Sequence, residues 1–146
     1  MTSKSKYLGN LRTENEHGQS KAKVLSDAPI DNHGKGEAFS PTDLVATALA
    51  SCMLTMMGII GERENLNLKG MTAETTKTMA SSPRRISKIK VGLKLPDYLS
   101  QEERELLENT AKKCPVHFSL HPDIEKDVQF NYEKLKTWDA IFVSID

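Results

Sequence analysis

Two cysteines are the residues of this chain best suited to chemistry. Cys52 lies in the middle of an apolar run, and Cys114 stands directly before Pro115, 62 positions later. A thiolate attacks a peroxide oxygen and becomes a sulfenic acid, which a second thiol converts to a disulfide. That cycle requires the two thiols to meet in space. It also requires a cation, usually an arginine, to ionise the first of them. The plain alternative for Cys52 is a small core side chain, since free cysteine is among the most buried residue types. The same alternative holds for Cys114, which shares a helical stripe with Leu107 and Ala111. Its electrostatics point both ways. The C-terminus of one helix would raise its pKa, and the N-terminus of a short helix opening at Pro115 would lower it.

Other chemistries find less support. Cys114-Pro115-Val116-His117 has the spacing of two metal ligands. Cys52, His17, His33 and His121 would have to complete that site from distant segments, so no metal or other cofactor is expected. Gly34-Lys35-Gly36-Glu37 lacks the Lys-Ser or Lys-Thr of a phosphate loop. No Gly-x-Ser-x-Gly elbow occurs, and Arg84-Arg85 reads as an exposed basic turn ahead of a strand.

The elements that must position the cysteines are clear in outline. From Leu44 to Ile60 the chain is almost continuously apolar. Ser40 suits the N-cap, Pro41 the first helical position and Asp43 the acid of a capping box, so a helix is predicted from Pro41 to about Asn65. Thr47, Ser51, Thr55 and Gly58 share one helical face. The apolar run is 17 residues, short of the roughly 20 needed to span a bilayer, and polar sequence flanks it. A helix buried on nearly all sides is the better expectation. Ala46, Ala48, Ala50 and Ser51 would let other backbones approach, and one chain of 146 residues rarely encloses a helix so fully, which hints at a dimer.

Strands flank the helix. Lys6–Arg12 and Lys21–Leu25 are predicted to form a hairpin around Glu14-Asn15-Glu16-His17-Gly18, followed by a loop over Asp27–Glu37. Met71–Met79 suits a strand, and Ile89, Val91, Leu93 and Leu95 alternate with polar or small residues. Ser100 with Glu103 opens a second helix that Pro115 ends. Val128, Phe130 and Tyr132 mark a further strand. Trp138–Ile145 is apolar enough to pack, with Trp138 and Phe142 read as packing residues. The order β-β, long α, β-β, α, β describes an α+β domain spanning 1–146.

Composition bounds the function. Apolar residues make up 38% and charged residues 27%, which fits a globular chain. Twenty basic residues balance twenty acidic ones, which gives no electrostatic reason for nucleic acid or an anionic membrane as partner. Lys4 and Lys6 are followed by Gly9, Asn10, Arg12 and Glu14 rather than an apolar stretch. No secretory signal is read there, and a cytoplasmic location is expected, where thiols stay reduced.

Ser40-Pro41-Thr42-Asp43-Leu44-Val45, followed by Ala48-Leu49-Ala50-Ser51-Cys52-Met53, resembles the first cysteine motif of the OsmC/Ohr family. Cys114-Pro115-Val116-His117 with Ser119-Leu120 resembles the second. Asn32-His33-Gly34-Lys35-Gly36-Glu37 and Pro83-Arg84-Arg85-Ile86 are similar to segments of its smaller members. The resemblance covers nearly the whole chain. It implies an intertwined homodimer whose β-sheets wrap around long central helices, with active sites at the interface. It also implies a thiol-dependent peroxidase for organic hydroperoxides, reset by an external dithiol or lipoyl-type reductant. Cys52 would then be the peroxidatic cysteine and Cys114 the resolving one, with Met53, Met56 and Met57 as apolar walls. Family peroxidases pair an arginine with a glutamate beside the reactive thiol. That glutamate sits ten residues before the first cysteine, where this chain has Thr42. Asp43 is adjacent, but one residue along a helix turns the side chain by about 100°, which suits it to a cap. Arg12, read in the first strand, is the candidate arginine. Two other readings remain: an OsmC-like protein that binds an apolar ligand or senses oxidation with little turnover, and a structural dimer with inert cysteines.

Overall fold

The computed structural model describes residues 1–136, so the expectations for Trp138–Ile145, including Trp138 and Phe142, lie outside the described residues. The chain divides into two compact units, Met1–Val45 and Ala46 onward.

The first unit is a three-stranded antiparallel sheet, β1 (Ser3–Gly9), β2 (Arg12–His17) and β3 (Lys23–Asp27), in that order. This corrects the expected two-strand hairpin. Residues assigned there to a turn, Glu14 to His17, belong to β2, and Arg12 opens that second strand rather than closing the first. The reversal lies earlier, at Gly9, Asn10 and Leu11, whose φ values of 81°, 53° and 62° are all left-handed. Glycine and asparagine tolerate that region best, which is why the chain turns there. β2 reads Arg-Thr-Glu-Asn-Glu-His and has no apolar alternation to announce it. A 3-10 turn at Ile30–Asn32 follows β3, and Ser26 bridges to Phe39. In this unit only Ser26, Asp27 and Ser40 are buried, while Tyr7, Leu8, Leu11, Val24, Leu25, Ile30 and Phe39 are exposed.

Helix α1 (Pro41–Arg63) starts where its cap signals place it. The Asp43 N–H donates to Ser40 Oγ at 3.0 Å, and the Ser40 N–H donates to Asp43 Oδ2 at 2.9 Å. These two bonds satisfy donors that a helix start otherwise leaves orphaned. Leu49, Met53, Met57 and Ile60 recur at helical spacing and are buried. The opposite face, Val45, Ala48, Ser51, Thr55 and Ile59, is exposed. The helix is therefore not enclosed on all sides within one chain. Thr47, Ser51 and Thr55 lie on its open side, and Gly58 is half-buried.

The second unit packs this helix into one core with a mixed sheet of β4 (Thr72–Ser81), β5 (Arg84–Pro96) and β6 (Glu125–Glu133). β4 and β5 are antiparallel, and β6 runs parallel to β5. Ile89, Val91, Leu93 and Leu95 of the central strand are fully buried, each contributing about 1.5–3 kcal/mol of hydrophobic stabilisation. Helices α2 (Gln101–Ala111) and α3 (Pro115–Ser119) form the crossover between the parallel strands. Ser100 and Glu103 make the reciprocal capping box that opens α2. Leu107, Ala111 and Cys114 are all fully buried, as their shared stripe predicts.

Candidate functional site

Both cysteines belong to the second unit, and the fold brings them together. Cys52 sits on α1 where the buried line of Leu49 and Met53 meets the exposed Ser51 and Thr55, and it is half-buried. Cys114 is completely buried. It is the N-cap of α3, in extended conformation at φ −69° and ψ 146°, with Pro115 in the first turn. Its Sγ accepts the His117 N–H at 3.3 Å, and the Cys52 side chain lies near enough to raise its pKa.

This geometry resolves the two opposed expectations for the Cys114 pKa. Burial pushes the thiol up, and the His117 N–H pulls it back. Negative charge at Cys52 raises it further, and burial prevails. Cys114 is therefore held as a neutral thiol beside Cys52. Neither cysteine is in a disulfide. Met53 and Met57 are fully buried core side chains, and Met56 is half-buried. His117, whose Nδ1 is buried without a hydrogen-bond partner, has its pKa lowered by burial. Among the described residues, no group of three or more His, Cys, Asp or Glu side chains is placed to hold a metal ion. A cavity of about 560 Å³ over the sheet, lined by Thr72, Glu74, Lys94 and Glu133 among others, has neither cysteine in its wall.

The remaining candidates lie in the first unit. Thr42 and Asp43 are in the opening turn of α1. The Thr42 hydroxyl lies 3.2 Å from Ser40 Oγ, and Asp43 closes the capping box. Arg12 pairs with two carboxylates that the sequence reading did not single out. Its Nη2 lies 3.4 Å from Asp27 Oδ2 and also donates to Glu37 Oε2. Arg12 and Asp27 are cross-strand partners in the β2–β3 register. Glu37 returns over the end of β3 because the loop turns tightly at Gly34. A Cβ there would stand 1.7 Å from the Ala28 carbonyl oxygen, so only glycine fits. The Glu37 N–H then donates to Asp27 Oδ2 at 3.0 Å. That bond first, and Arg12 second, hold the Asp27 carboxyl below the ordinary carboxylate pKa despite its burial. Glu37 and Asp27 in turn raise the Arg12 pKa. The acidic partners fall in the predicted loop; strand register brings Asp27 to Arg12 and a loop return brings Glu37, and no local signal carries either.

Comparison with known proteins places these elements in context. The model of the OsmC-like protein family matches residues 34–129. A crystal structure from Psychrobacter arcticus 273-4, provisionally described as an osmotic stress induced and detoxification response protein, is 48% identical. The match covers 90% of this chain and 96% of that one, with a TM-score of 0.87. An organic hydroperoxide resistance protein from Legionella pneumophila superposes with a TM-score of 0.70 at 18% identity, covering 90% and 97% of the two chains. One from Bacillus subtilis superposes with a TM-score of 0.64 at 15% identity, covering 90% and 98%. The last two likenesses are of fold. No curated protein matches the sequence.

Proposed function

Because the chain belongs to the OsmC-like protein family, we propose that it is a thiol-dependent peroxidase that reduces organic hydroperoxides. The observation that carries this reading is the proximity of the half-buried Cys52 thiol to the buried, neutral Cys114 thiol. A pair of cysteines serving only as core filler has no need to meet.

One turnover reduces one hydroperoxide and joins the two thiols. The Cys52 thiolate attacks the distal peroxide oxygen, the O–O bond breaks, and the alkoxide leaves as an alcohol after taking a proton. Cys52 becomes a sulfenic acid. Cys114 attacks that sulfur, its proton leaves with the hydroxyl as water, and a Cys52–Cys114 disulfide remains. An external dithiol of lipoyl type reduces it by exchange. Arg12 is assigned the role of the cation that favours the Cys52 thiolate. Asp43 caps α1, and Thr42 occupies the position of the family glutamate.

We further propose that the protein works in the cytoplasm as an intertwined homodimer. Two apolar surfaces support this. One is the open side of α1, with Val45 and Ile59. The other is the first unit, whose Tyr7, Leu11, Val24, Leu25 and Phe39 are exposed in a segment with no buried apolar residue of its own. Exposed apolar area on this scale marks an interface.

One observation favours a second reading, an OsmC-like protein that binds an apolar ligand or senses oxidation with little turnover: Thr42 stands where family peroxidases have glutamate. One experiment separates the two. The reduced protein receives one equivalent of cumene hydroperoxide, and its intact mass and free thiols are measured. Loss of two hydrogens and of both thiols supports the peroxidase. An unchanged mass with both thiols free moves the assignment to the second reading.

A further inference from the structure

We propose that Asp27 is the positioning residue for Arg12 and takes over the work of the glutamate missing at Thr42, with Glu37 as a second, outer arm. This inference rests on the reading that Arg12 serves the Cys52 thiolate.

A carboxylate is needed beside such an arginine because a long, flexible side chain delivers its charge to one place only when something holds it. Thr42 has no charge, and its hydroxyl lies 3.2 Å from Ser40 Oγ. Asp43 faces Ser40 in the capping box. Asp27 has the placement that the task requires. It stands opposite Arg12 across β2 and β3, where directly opposed side chains interact. Its backbone is fixed from two sides. The Asp27 N–H donates to the Phe39 carbonyl at 2.9 Å, and the next residue, Ala28, donates to the Leu11 carbonyl at 3.1 Å. Its side chain is wholly buried, the Arg12 side chain is about one-third exposed at 34%, and that of Glu37 is 59% exposed. The arginine thus lies between a fixed inner carboxylate and an outer one at the surface.

The charge of Asp27 is kept only through specific partners. Its Oδ1 is buried with no hydrogen-bond partner. The orphaned oxygen costs desolvation, and the carboxylate stays ionised only because the Glu37 N–H and Arg12 compensate for it. The feature that only the carboxylate supplies is a fixed negative charge for Arg12. Both ion pairs use the same nitrogen, Nη2. The Nε and Nη1 edge of the guanidinium takes part in neither, so the clamp holds the group without occupying that edge.

The test compares Asp27→Asn, Glu37→Gln, Arg12→Met and the Arg12→Met/Asp27→Asn double variant, each checked for native fold by circular dichroism and urea unfolding. Asp27→Ser replaces Asp27→Asn if the amide is not tolerated. The first readout is the second-order rate with cumene hydroperoxide, together with the pH profile of Cys52 alkylation in a Cys114→Ser background. Asp27→Asn is expected to lower the rate about 10- to 100-fold and to move the alkylation profile to higher pH. Glu37→Gln should lower the rate about threefold or less, in line with its exposure. The double variant should be no slower than Arg12→Met alone, because Asp27 acts through Arg12. A natively folded Asp27→Asn with the parental rate and profile overturns the inference, as does a double variant whose losses multiply.

The second readout is independent of turnover. Rotation of the Arg12 guanidinium, followed by its side-chain ¹⁵N NMR signals and assigned by their loss in Arg12→Met, is expected to be hindered in the parent and fast in Asp27→Asn. Rotation that is equally fast in both overturns the inference even in an active enzyme. Hindered rotation released by Asp27→Asn in a protein that never reacts with hydroperoxide upholds the clamp and refutes the peroxidase reading instead.

Discussion

Oxidation should stabilise this fold by an amount set by the position of its two thiols. Cys52 and Cys114 stand 62 residues apart in sequence yet lie close enough in the folded chain for one to shift the other's pKa. A bond between them closes a loop of that length in the unfolded ensemble. The chain-entropy relation gives a gain of about 4 kcal/mol at 25 °C for such a loop. Native-state strain reduces it, so a gain of about 2–4 kcal/mol is expected. With a urea dependence of about 2 kcal/mol per M, the unfolding midpoint rises by about 1–2 M. The assay compares urea unfolding of protein oxidised by one equivalent of cumene hydroperoxide with the same protein in excess dithiol. Both are measured at one protein concentration, because the midpoint of a self-associating protein depends on it. Cys114→Ser treated the same way should show no gain. The reasoning is refuted if both thiols and two hydrogens are lost while the midpoint stays put or falls. That outcome would mean that the bond forms only by pulling the native packing apart. A doubled mass on non-reducing gels would refute it differently, by placing the bond between chains.

Four further outcomes follow from the same geometry. Cys114→Ser should still take one oxygen at Cys52 but form no disulfide, so repeated hydroperoxide additions should drive Cys52 to the sulfinic acid, seen as a mass gain of two oxygens. The Cys114 pKa is raised by burial, so its thiolate fraction rises about tenfold per pH unit below that pKa. Stopped-flow decay of the sulfenic acid should therefore accelerate from pH 6 to 8, and a flat profile would contradict the assignment. By linkage, the same raised pKa leaves stability intact below the ordinary thiol range and erodes it as pH climbs through the folded-state value, measurable by urea unfolding of the reduced protein. Leu107→Ala removes a fully buried side chain from the α2 face that leads to Cys114. It should cost about 2–5 kcal/mol in urea unfolding, and a loss below about 1 kcal/mol would mean that this face is not packed as described.

Features written in neighbouring residues were legible in the sequence. The Ser40–Asp43 and Ser100–Glu103 boxes span three residues each, and both helices start where they say. The alternation from Ile89 to Leu95 announced the central strand because every second side chain there is buried. β2 was not legible. None of its residues is buried, so no selection for apolar alternation marks it, and the turn was placed five residues late. The clamp on Arg12 was hidden for a related reason. Asp27 and Glu37 reach it through strand register and a loop return, and neither leaves a spacing to read. For the cysteines, each apolar stripe was visible separately, while their meeting depends on how α1 and the α2–α3 corner pack around β5. The expectation that α1 is buried on nearly all sides, with a second copy covering what one chain cannot, fits its apolar composition; within one chain the face of Val45 and Ile59 is open.

The parallel pairing of β6 with β5 has a consequence for how the protein comes into being. Every paired position across these strands, from Lys88 with Glu125 to Pro96 with Glu133, is separated by 37 residues. The β4–β5 hairpin, by contrast, closes from Ser81 and Arg84 outward. The hairpin can therefore zip locally in microseconds, while β6 must wait for a longer closure. On the ribosome the delay is longer still, because β6 is synthesised after α2 and α3. Until it arrives, α2 lacks Phe130 beneath Lys112 and lacks Tyr132, whose ring stacks under Arg104 and whose hydroxyl donates to Glu108. The helix that leads to Cys114 is thus seated late, and the nascent chain passes through a stage with a formed hairpin and Cys114 not yet held in place.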